Sequence, residues 1–304
     1  MKAVRIYEYG GPEILKFELD APEPTIDADT VLIEAVATSV NPIDWKVRSG
    51  ARQKDFPLTF PAILGKDLSG IVRAVGSNIR HFKLGDQVIG FANATYAQYV
   101  AAPGTSLTHL PDGLDLIEAA AIPLVSLTGD QLVQLATRAV AGQTIIVSGA
   151  LGSVGRAAVH SAKKLGARVI AGVRARQLAE AEKLGVFQTL AIDDDTAIAR
   201  LEPVDGVADT VGGDVGAKLF NKIRNGGRFG FASVFPAEAS ATNPAVEVIR
   251  VLVQPDPSKL REFADDIRDG KFVLPISRLM PLRDAAAAHE LMEAGGAGKI
   301  VLVI

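Results

Sequence analysis

Three glycines, Gly149, Gly152 and Gly155, follow the apolar run of residues 144–148 and precede a segment with helical spacing. In a strand–turn–helix unit, the first glycine permits a tight turn, the second lets backbone N–H groups approach a pyrophosphate, and the third allows close packing. The N-terminus of the following helix adds unpaired N–H groups and a partial positive charge. The pattern therefore predicts a dinucleotide-binding turn. The alternative is a plain glycine-rich turn in an α/β domain.

The residues after the next predicted strand, 168–173, indicate which dinucleotide is bound. Positions 174–176 hold Arg174 and Arg176 and no Asp or Glu, the residue types that bind the ribose 2′-hydroxyl of NAD. A guanidinium pairs bidentately with phosphate oxygens, which suits the 2′-phosphate of NADP. We therefore expect NADPH as the cofactor. The alternative is that both arginines are merely solvated at the start of a helix.

Strand and helix patterns alternate in the middle of the chain and predict the elements around this turn. The predicted strands cover residues 144–148, 168–173, 206–211, 228–232 and 246–253, and the predicted helices cover residues 153–165, 176–184, 215–223 and 258–268. Such alternation indicates βαβ units and a parallel sheet. We predict an α/β protein in which residues 121–269 form a doubly wound dinucleotide-binding domain.

Residues 1–120 show a different pattern, with short strand-like runs separated by Gly and Pro. The runs cover residues 2–7, 30–36, 70–75, 87–91 and 97–101, which is typical of a compact, irregular β domain. Residues 270–304 contain a short helical pattern and a terminal strand and are too few for a domain. We expect this last segment to complete the β domain.

Composition excludes several classes of function. The net charge is −3 over 304 residues, so the sequence lacks the excess of basic residues that gives a nucleic-acid-binding protein its basic face. The chain has no cysteine, which excludes disulfides and cysteine zinc sites and fits a reducing cytoplasm. No window of 18 consecutive apolar residues predicts a membrane span, and the first residues lack the apolar core of a signal peptide. We expect a cytoplasmic protein.

Seven segments in order along the chain resemble one known family. They are SVNPIDWKVRSG (39–50), FPAILGKDLSGIVRAVG (60–76), LGDQVIG (84–90), IPLVSLTG (122–129), VDGVADTVGG (204–213), NGGRFGFAS (225–233) and the ending at 269–302. Through them the sequence resembles the zinc-independent medium-chain dehydrogenase/reductases of the quinone oxidoreductase, or zeta-crystallin-like, type. The resemblance implies a GroES-like β domain on the substrate side and a Rossmann domain, with the nicotinamide in the cleft between them. It also implies a homodimer.

The zinc ligands of related dehydrogenases are replaced in this sequence. Lys66 and Asp67 follow Gly65 where zinc-dependent relatives carry a Gly-His-Glu motif, and an ammonium group does not ligate zinc unless it deprotonates. The four histidines lie outside any set with ligand spacing. We expect no metal. Without the Lewis acid that lowers the pKa of an alcohol, simple alcohol oxidation is the less favoured chemistry.

The resemblance places three candidate catalytic residues on the substrate side. The Asn41 amide can donate a hydrogen bond to a carbonyl oxygen, or it can be an ordinary turn residue. Lys46 stands where several relatives carry a tyrosine, and a lysine there can still donate. Lys66 can place a positive charge beside the carbonyl oxygen, or it can pair with Asp44 or Asp67. We expect Asp44 itself to hold local backbone or Lys66 rather than to transfer a proton.

Candidate cofactor-binding residues come from the turn and from two later positions. Those of the turn are Gly149, Ala150, Gly152, Ser153, Val154 and Gly155. By resemblance, Thr128 lies near the nicotinamide carboxamide, with a helix-interior threonine bonded to its own backbone as the alternative. Ala232 and Ser233 are expected near the nicotinamide ribose.

These observations predict an enzyme that transfers hydride from NADPH to quinones or related electron-poor carbonyl acceptors. The hydride chemistry belongs to the cofactor, and the protein has to dock the acceptor and stabilise the developing negative charge. One alternative is a reductase of alkenal or enone double bonds. Another is a non-catalytic NADPH-binding sensor or structural protein. A small-molecule acceptor is the one partner that the sequence indicates.

Overall fold

The computed structural model describes residues 1–235 and 237–304. The chain divides into two units, the first formed by Met1–Leu124 with Pro255–Ile304 and the second by residues 125–254. The sequence predicted that the dinucleotide-binding part would extend to residue 269. In the structure the helix Pro257–Arg268 belongs to the first unit because it packs against the strand Leu107–His109 of that unit.

The first unit begins with antiparallel strands. They are β1 (Ala3–Ile6), β2 (Lys16–Glu18), β3 (Thr30–Val40), β4 (Ala62–Ile63), β5 (Asp67–Val75), β6 (Gln87–Phe91), β7 (Tyr99–Pro103) and β8 (Leu107–His109). β3 pairs with both β5 and β7, and β6 joins β5 to β8. β2, β1 and β4 form a smaller sheet. Two short helices, α1 (Pro42–Arg48) and α2 (Leu116–Ala119), follow from β3 and β8.

The second unit contains a parallel sheet with helices between its strands. After α3 (Pro123–Gln131) and the π-helical turn Leu132–Thr137 come β9 (Thr144–Ser148), α4 (Ser153–Lys164), β10 (Arg168–Val173), α5 (Leu178–Glu182), β11 (Gln188–Ala191), α6 (Asp195–Ala199), β12 (Val204–Asp209), α7 (Gly213–Phe220), β13 (Ile223–Phe231), α8 (Ala237–Ser240) and β14 (Glu247–Arg250). The strand order is β11-β10-β9-β12-β13-β14, all parallel. This is the doubly wound order of dinucleotide-binding sheets, so the predicted fold class is confirmed.

The apolar run of β9 explains its central place in the sheet. Ile145 and Val147 point to one face and pack in a cluster with Ala158 of α4. Ile146 points to the other face and packs in a second cluster with Phe229. Burial on both faces is typical of a parallel strand covered by helices, and each such side chain contributes about 1.5–3 kcal/mol.

The end of the chain returns to the first unit. It contains α9 (Pro257–Arg268), β15 (Ile276–Pro281), α10 (Ala285–Ala294) and β16 (Lys299–Val303). β16 pairs antiparallel with β3, from Ile300 opposite Val40 to Val303 opposite Ala37. The larger sheet therefore runs β15-β16-β3-β5-β6-β8, with β7 also paired to β3.

Several elements were not predicted from the sequence, and β11, α6 and α1 are three of them. β11 and α6 are only four and five residues long, too short to show a period. The sequence Asn41-Pro42 was interpreted as a turn, yet Pro42 is the first residue of α1. Proline is favoured at that position because its fixed φ suits a helix and its missing N–H would be unpaired there.

The longest helices of the structure, α4 and α9, have 12 residues each. A transmembrane helix needs about 20 predominantly apolar residues. Within the described part of the chain, no helix has the length and apolar character needed to cross a bilayer.

Candidate active site

The glycine turn joins β9 to α4 in the second unit. Gly149 has a φ of +63°, a conformation that glycine adopts without strain. A Cβ at Gly155 would overlap the Gly149 backbone and lie 2.8 Å from Ala150 Cα, so the close approach of helix and turn requires glycine. At Gly152 the only described atom within 4 Å of a Cβ would be the Gly149 carbonyl oxygen, at 3.2 Å. The turn is thus tight on its inner side and open at Gly152.

The N-terminus of α4 follows directly from this open position. Gly152 is the N-cap residue, and no described side chain hydrogen bonds to the first N–H groups of the helix. The N–H of Ala150 is engaged internally, because it donates to the Gly172 carbonyl at 3.1 Å. Unpaired N–H groups at the positive end of a helix dipole bind pyrophosphate. The Gly152 N–H is also engaged, because it donates to the Gly149 carbonyl at 2.9 Å. The N–H groups of Ser153 and Val154 are therefore the ones that fit a dinucleotide cofactor.

Buried polar side chains fix the strand ends beside the turn. Ser148 Oγ, at the end of β9, donates to Asp209 Oδ1, at the end of β12, and accepts the N–H of Thr210 at 2.8 Å. Thr210 Oγ1 donates back to the Ser148 carbonyl at 2.7 Å. Burial raises the pKa of Asp209, opposed by hydrogen bonds from Ser148 and from the N–H groups of Gly212 and Val211. These bonds order the carboxyl edge of the sheet, where ligands bind in such folds.

Arg174 and Arg176 follow β10 at the same edge of the sheet, and both side chains are exposed. The backbone around them is held in place. The N–H of Ala175 donates to Asp193 Oδ1 at 2.8 Å, and the N–H of Arg174 donates to Gln177 Oε1 at 3.3 Å. The guanidinium groups are therefore accessible on an ordered turn, as a phosphate-binding pair requires.

The remaining cofactor candidates lie in α3 and after β13. Thr128 is 7% exposed within α3. Ala232 and Ser233 directly follow β13 and are half-buried. A Cβ on Gly212 would lie 3.2 Å from Ser233 Cβ, so Ser233 lies against the loop that follows β12. These two residues are therefore at the carboxyl edge of the sheet.

A buried polar network surrounds Asn41 in the first unit. Asn41 is 1% exposed, Lys299 is 2% exposed and Asp67 is fully buried. Asn41 Oδ1 accepts from Lys299 Nζ at 2.7 Å, and Asn41 Nδ2 donates to Asp67 Oδ2 at 2.7 Å. Lys299 Nζ lies 3.1 Å from Asp67 Oδ2. Both ends of the Asn41 amide are engaged, so Asn41 holds a buried ion pair where the sequence suggested direct contact with an acceptor.

Asp44 occupies the first turn of α1 and is 2% exposed. Its Oδ2 accepts the backbone N–H of Asn41 at 2.8 Å and the hydroxyl of Tyr96 at 3.1 Å. Burial raises the pKa of Asp44 to about 7, with the charge of Asp67 adding to the rise and the two hydrogen bonds and Lys299 opposing it. Asp44 thus holds local backbone, one of the two roles expected for it.

A hydrogen-bonded chain continues from Asp44 into the protein. Tyr96 is fully buried, and its hydroxyl lies 3.1 Å from His289 Nε2. His289 Nδ1 lies 3.1 Å from Arg48 Nη1, and the Arg48 guanidinium also pairs with Glu293. Burial, together with the Arg48 charge, lowers the pKa of His289 to about 3. His289 is therefore neutral at physiological pH.

Asp44 and Lys66 both line a pocket of about 340 Å³ within the first unit, which we call the Lys66 pocket. Its other lining residues are mostly apolar; they are Val47, Asp55, Phe56, Pro57, Leu58, Ile63, Leu64, Gly65, Asn93 and Ala94. Lys66 Nζ donates to Asn93 Oδ1 and lies 5.4 Å from the centroid of the Phe56 ring. Burial lowers the pKa of Lys66, and the Asp44 charge opposes this effect. The expected direct pairing of Lys66 with Asp67 is not formed, because Lys299 takes that carboxylate.

Lys46 lies two residues after Asp44 on α1 but is not among the described residues that line the Lys66 pocket. Residues two apart in a helix point about 200° apart around its axis. Lys46 Nζ lies 5.6 Å from the centroid of the Trp45 ring. Burial and the nearby Arg52 charge lower the pKa of Lys46. The structure thus brings Lys66 to the pocket together with Asp44, and it places Lys46 elsewhere.

The described residues contain no group of three or more His, Cys, Asp or Glu side chains that could hold a metal ion. At the positions of the Gly-His-Glu motif, Lys66 lines the pocket and Asp67 is bonded to Lys299. His289 is fully buried between Tyr96 and Arg48. The absence of zinc stays a prediction that metal analysis has to test.

Sequence reasoning missed Lys299, Tyr96 and the part that His289 plays in the site. A usable signal was present for Lys299, because it starts the otherwise apolar strand β16. A charged side chain in a buried strand needs a partner, which pointed to an unidentified carboxylate. Tyr96 and His289 carry no comparable signal, since their partners lie 52 and 241 residues away along the chain.

Two family models match the chain. Residues 27–112 match the alcohol dehydrogenase GroES-like domain, and residues 184–302 match the zinc-binding dehydrogenase model. The expected GroES-like character of the first unit is therefore confirmed. A GroES-like unit and a doubly wound dinucleotide-binding fold together define a medium-chain dehydrogenase or reductase.

Comparisons over the whole chain narrow this class. The chain is 31% identical to the NADPH-dependent alkenal/one oxidoreductase of Arabidopsis thaliana, over 99% of this chain and 79% of that protein. The quinone oxidoreductase of Coxiella burnetii superposes with a TM-score of 0.88 at 31% identity, covering 100% of this chain and 99% of that one. The Escherichia coli quinone oxidoreductase complexed with NADPH superposes with a TM-score of 0.87 at 26% identity, and the match covers 100% of each chain.

The chain belongs to the quinone oxidoreductase family, the zeta-crystallin-like branch of the medium-chain dehydrogenase/reductases. It is an NAD(P)H-dependent oxidoreductase that acts on small molecules. The predicted family and enzyme class are confirmed.

Proposed function

We propose that this protein uses NADPH to reduce quinones or related electron-poor carbonyl compounds in the Lys66 pocket. The observation that carries the proposal is the composition of that pocket. Apolar walls that include Phe56, Leu58 and Leu64 suit a flat, uncharged acceptor. Lys66 is the one cationic residue among the described residues that line it.

The residues of the pocket have a specific task in such a reduction. NADPH supplies the hydride, which is chemistry that no side chain provides. Negative charge then develops on the acceptor oxygen and has to be stabilised in a poorly hydrated site. Lys66 Nζ, held by Asn93, is suited to contact that oxygen. Asn41 acts indirectly, because its bonds to Asp67 and Lys299 hold the start of α1.

Three observations support NADPH over NADH. Arg174 and Arg176 are exposed on an ordered turn after β10, where a ribose 2′-phosphate would bind. The Arabidopsis relative is named as NADPH-dependent, and the Escherichia coli relative was crystallised with NADPH. On the cofactor side we propose contacts from the Gly149–Gly155 turn, Thr128, Ala232 and Ser233.

A second candidate function is the reduction of alkenal or enone double bonds. The name of the Arabidopsis relative, at 31% identity, favours it. The two reactions differ in where the hydride and the proton are delivered. In one they are added to a quinone, and in the other to the carbon–carbon double bond of an alkenal or enone. Both need stabilisation of a developing oxyanion, so Lys66 has the same task in each.

An acceptor panel tests the proposal. NADPH and NADH oxidation would be followed with small quinones, short alkenals and cyclic enones. We expect turnover with quinones and a preference for NADPH. Selective turnover of alkenals or enones would favour the second candidate, and tight NADPH binding without any turnover would contradict both and favour a sensor or structural protein.

We further propose a homodimer in the cytoplasm. The family resemblance supports the dimer, and the absence of cysteine suits a reducing compartment. Light scattering after size-exclusion chromatography would give the mass directly, and a monomer of 31.9 kDa would contradict the dimer.

A further inference from the structure

The carboxyl group of Asp44 has two unequal oxygens. Oδ2 accepts the Asn41 N–H at 2.8 Å and the Tyr96 hydroxyl at 3.1 Å. Oδ1 makes no hydrogen bond to any residue that the structure describes, and Asp44 lines the Lys66 pocket. One oxygen is thus held by the protein, whereas the other has no described partner and belongs to a residue that lines the pocket.

The donor and acceptor of each hydrogen bond from Arg48 through His289 and Tyr96 to Asp44 Oδ2 can be deduced from the chemistry of Arg48. A guanidinium has donors only and stays protonated in proteins, so His289 Nδ1 must accept from Arg48 Nη1. Neutral histidine then carries its proton on Nε2, and that N–H donates to the Tyr96 oxygen. The Tyr96 hydroxyl is left to donate to Asp44 Oδ2. In each of these three hydrogen bonds, the donor lies on the Arg48 side and the acceptor on the Asp44 side.

This direction decides where a proton on Asp44 resides. A proton on Oδ2 would face the Tyr96 hydroxyl proton, because the Tyr96 oxygen already accepts the His289 N–H, and one of these two donors would be left without an acceptor. Two donors aimed without a matching acceptor in a buried site are costly. Protonated Asp44 therefore carries its proton on Oδ1, at the wall of the pocket.

The charges around Asp44 allow it to hold that proton near neutral pH. Burial and the Asp67 carboxylate favour the neutral acid, whereas Lys299 and the two hydrogen bonds favour the carboxylate, and the resulting pKa is about 7. Lys66 is the cation among the described residues that line the pocket, and the Asp44 charge raises its pKa. Asp55 also lines the pocket. The positive charge of Arg48 is separated from Asp44 by neutral His289 and Tyr96.

We propose that Asp44 is the proton donor of the reduction, and that Arg48, His289 and Tyr96 are positioning residues that direct its proton to Oδ1. The inference rests on the function proposed above. A quinone that has received a hydride is a hydroquinone anion. The Oδ1–H bond of Asp44 breaks as an O–H bond forms on the anion, and Asp44 is left as a carboxylate. It regains a proton from water when the product leaves.

Infrared titration of the protein without cofactor tests the placement of the proton. The carbonyl stretch of a protonated carboxyl group is followed over a range of about pH 5 to pH 9. We expect a band that disappears as the pH rises through the Asp44 pKa and that is missing in Asp44→Asn at every pH. Identical titrations of the two proteins would overturn the proposal.

Three further variants test the directing role of Tyr96 and His289. Tyr96→Phe removes a donor to the carboxylate, so the midpoint of the infrared band should shift to higher pH. His289→Asn keeps one acceptor and one donor and should preserve the wild-type midpoint, whereas His289→Phe should shift it as Tyr96→Phe does. An unshifted midpoint in Tyr96→Phe would contradict the directing role, even if His289→Phe failed to fold.

Kinetics then test the donation itself. With a quinone and NADPH, Asp44→Asn should lower kcat/KM about 10²-fold or more, and the wild-type kcat/KM should fall above pH 7. Asp112→Asn, an exposed acid in a turn of the same unit, is the matched control. Quinone reduction by Asp44→Asn at the wild-type rate would overturn the donor role and leave the proposed function standing. If the wild type reduces no acceptor while the infrared band behaves as expected, the proposed function fails and the donor role fails with it.

Discussion

Single residues in the first unit show how the protein stabilises charges that it buries. Lys299 and Asp67 form an ion pair with almost no exposure, and Asn41 bonds to both. Taking two ions out of water costs several kcal/mol each, and the cost is offset only with close contacts and further hydrogen bonds. Asp67 Oδ1 receives such a bond from the Leu124 N–H at 2.6 Å. The pair therefore fastens β16, α1 and β5 to one another.

No cation among the described residues contacts Asp44 in this way, and this predicts a pH-dependent stability. Its pKa is about 7 in the folded protein against 3.8 ordinarily, so between these values the folded state holds a proton that the unfolded state has lost. Stability falls as pH rises through this window, by up to about 1.4 kcal/mol per pH unit. The free energy of unfolding of the wild type, relative to that of Asp44→Asn, should fall from about pH 4 to pH 7. Above pH 7 this difference should stay constant. Urea unfolding across this range checks it, and a pH-independent difference would be the contrary result.

The two exposed arginines after β10 predict a selective loss of cofactor affinity. A charge-assisted hydrogen bond contributes about 1.5–3 kcal/mol, and NADH lacks the phosphate that would form it. Arg174→Ala with Arg176→Ala should therefore weaken NADPH binding at least about tenfold more than NADH binding. Fluorescence titration of both nucleotides measures this, with Arg200→Ala, an exposed arginine at the end of α6, as the control. Equal losses for the two nucleotides would rule out the assignment.

The role of a single residue could be predicted from the sequence where it depended on residues close to it along the chain. The replacement of the zinc ligand by Lys66 and the local bond between Asp44 and Asn41 were both accessible in this way. The partners of Lys299 and His289 were not, because they lie 258 and 241 residues away along the chain. Only the return of α10 and β16 to the first unit brings these side chains to α1.

At the scale of elements, the glycine turn predicts two different failures at neighbouring positions. A methyl group at Gly155 would collide with the Gly149 backbone, whereas one at Gly152 would meet only a carbonyl oxygen at 3.2 Å. Gly155→Ala should therefore lower the Tm by several degrees, since a core overlap costs about 1–3 kcal/mol. Gly152→Ala should leave the Tm nearly unchanged and weaken NADPH binding by obstructing the phosphate. Thermal unfolding and nucleotide titration of both variants check this, and the reverse pattern would contradict the account.

Element boundaries were predicted best where the apolar pattern was long. The strands at residues 144–148 and 168–173 agree with β9 and β10 to the residue. Residues 124–137 have helical spacing in the sequence, yet the structure has α3 there, followed by a π-helical turn that ends at Arg138, whose φ is +48°. So short a change from α-helical to π-helical hydrogen bonding cannot be recognised from the spacing of apolar residues in the sequence. β11 was missed because its first residues, Gln188 and Thr189, are polar.

At the scale of the whole molecule, the sequence predicted the fold class but not the pairing that closes the first unit. Alternation of strands and helices implied a parallel sheet, and the structure has it. The place of β16 beside β3 depends on contacts across more than 250 residues, which no local pattern contains. The helix α9 was assigned to the dinucleotide-binding part for the same reason.

The whole-chain inventory of ligand side chains predicts a metal-free protein. The chain has no cysteine and four histidines, and within the described residues no His, Asp or Glu cluster is arranged for a metal. Elemental analysis of the purified protein should give well under one zinc per chain, and a chelator should leave quinone reduction unchanged. Stoichiometric zinc with loss of activity on chelation would refute this.

Quinone reduction by Lys66→Met shows directly whether the acceptor reacts in the Lys66 pocket. We expect kcat/KM for a small quinone to fall about 10²-fold, the loss expected when one group that stabilises a developing oxyanion is removed. The NADPH Kd should stay at the wild-type value, and Lys83→Met, an exposed lysine of the same unit, should behave as wild type. Wild-type quinone reduction by Lys66→Met would contradict the account, because the Lys66 pocket would then not be where the acceptor reacts.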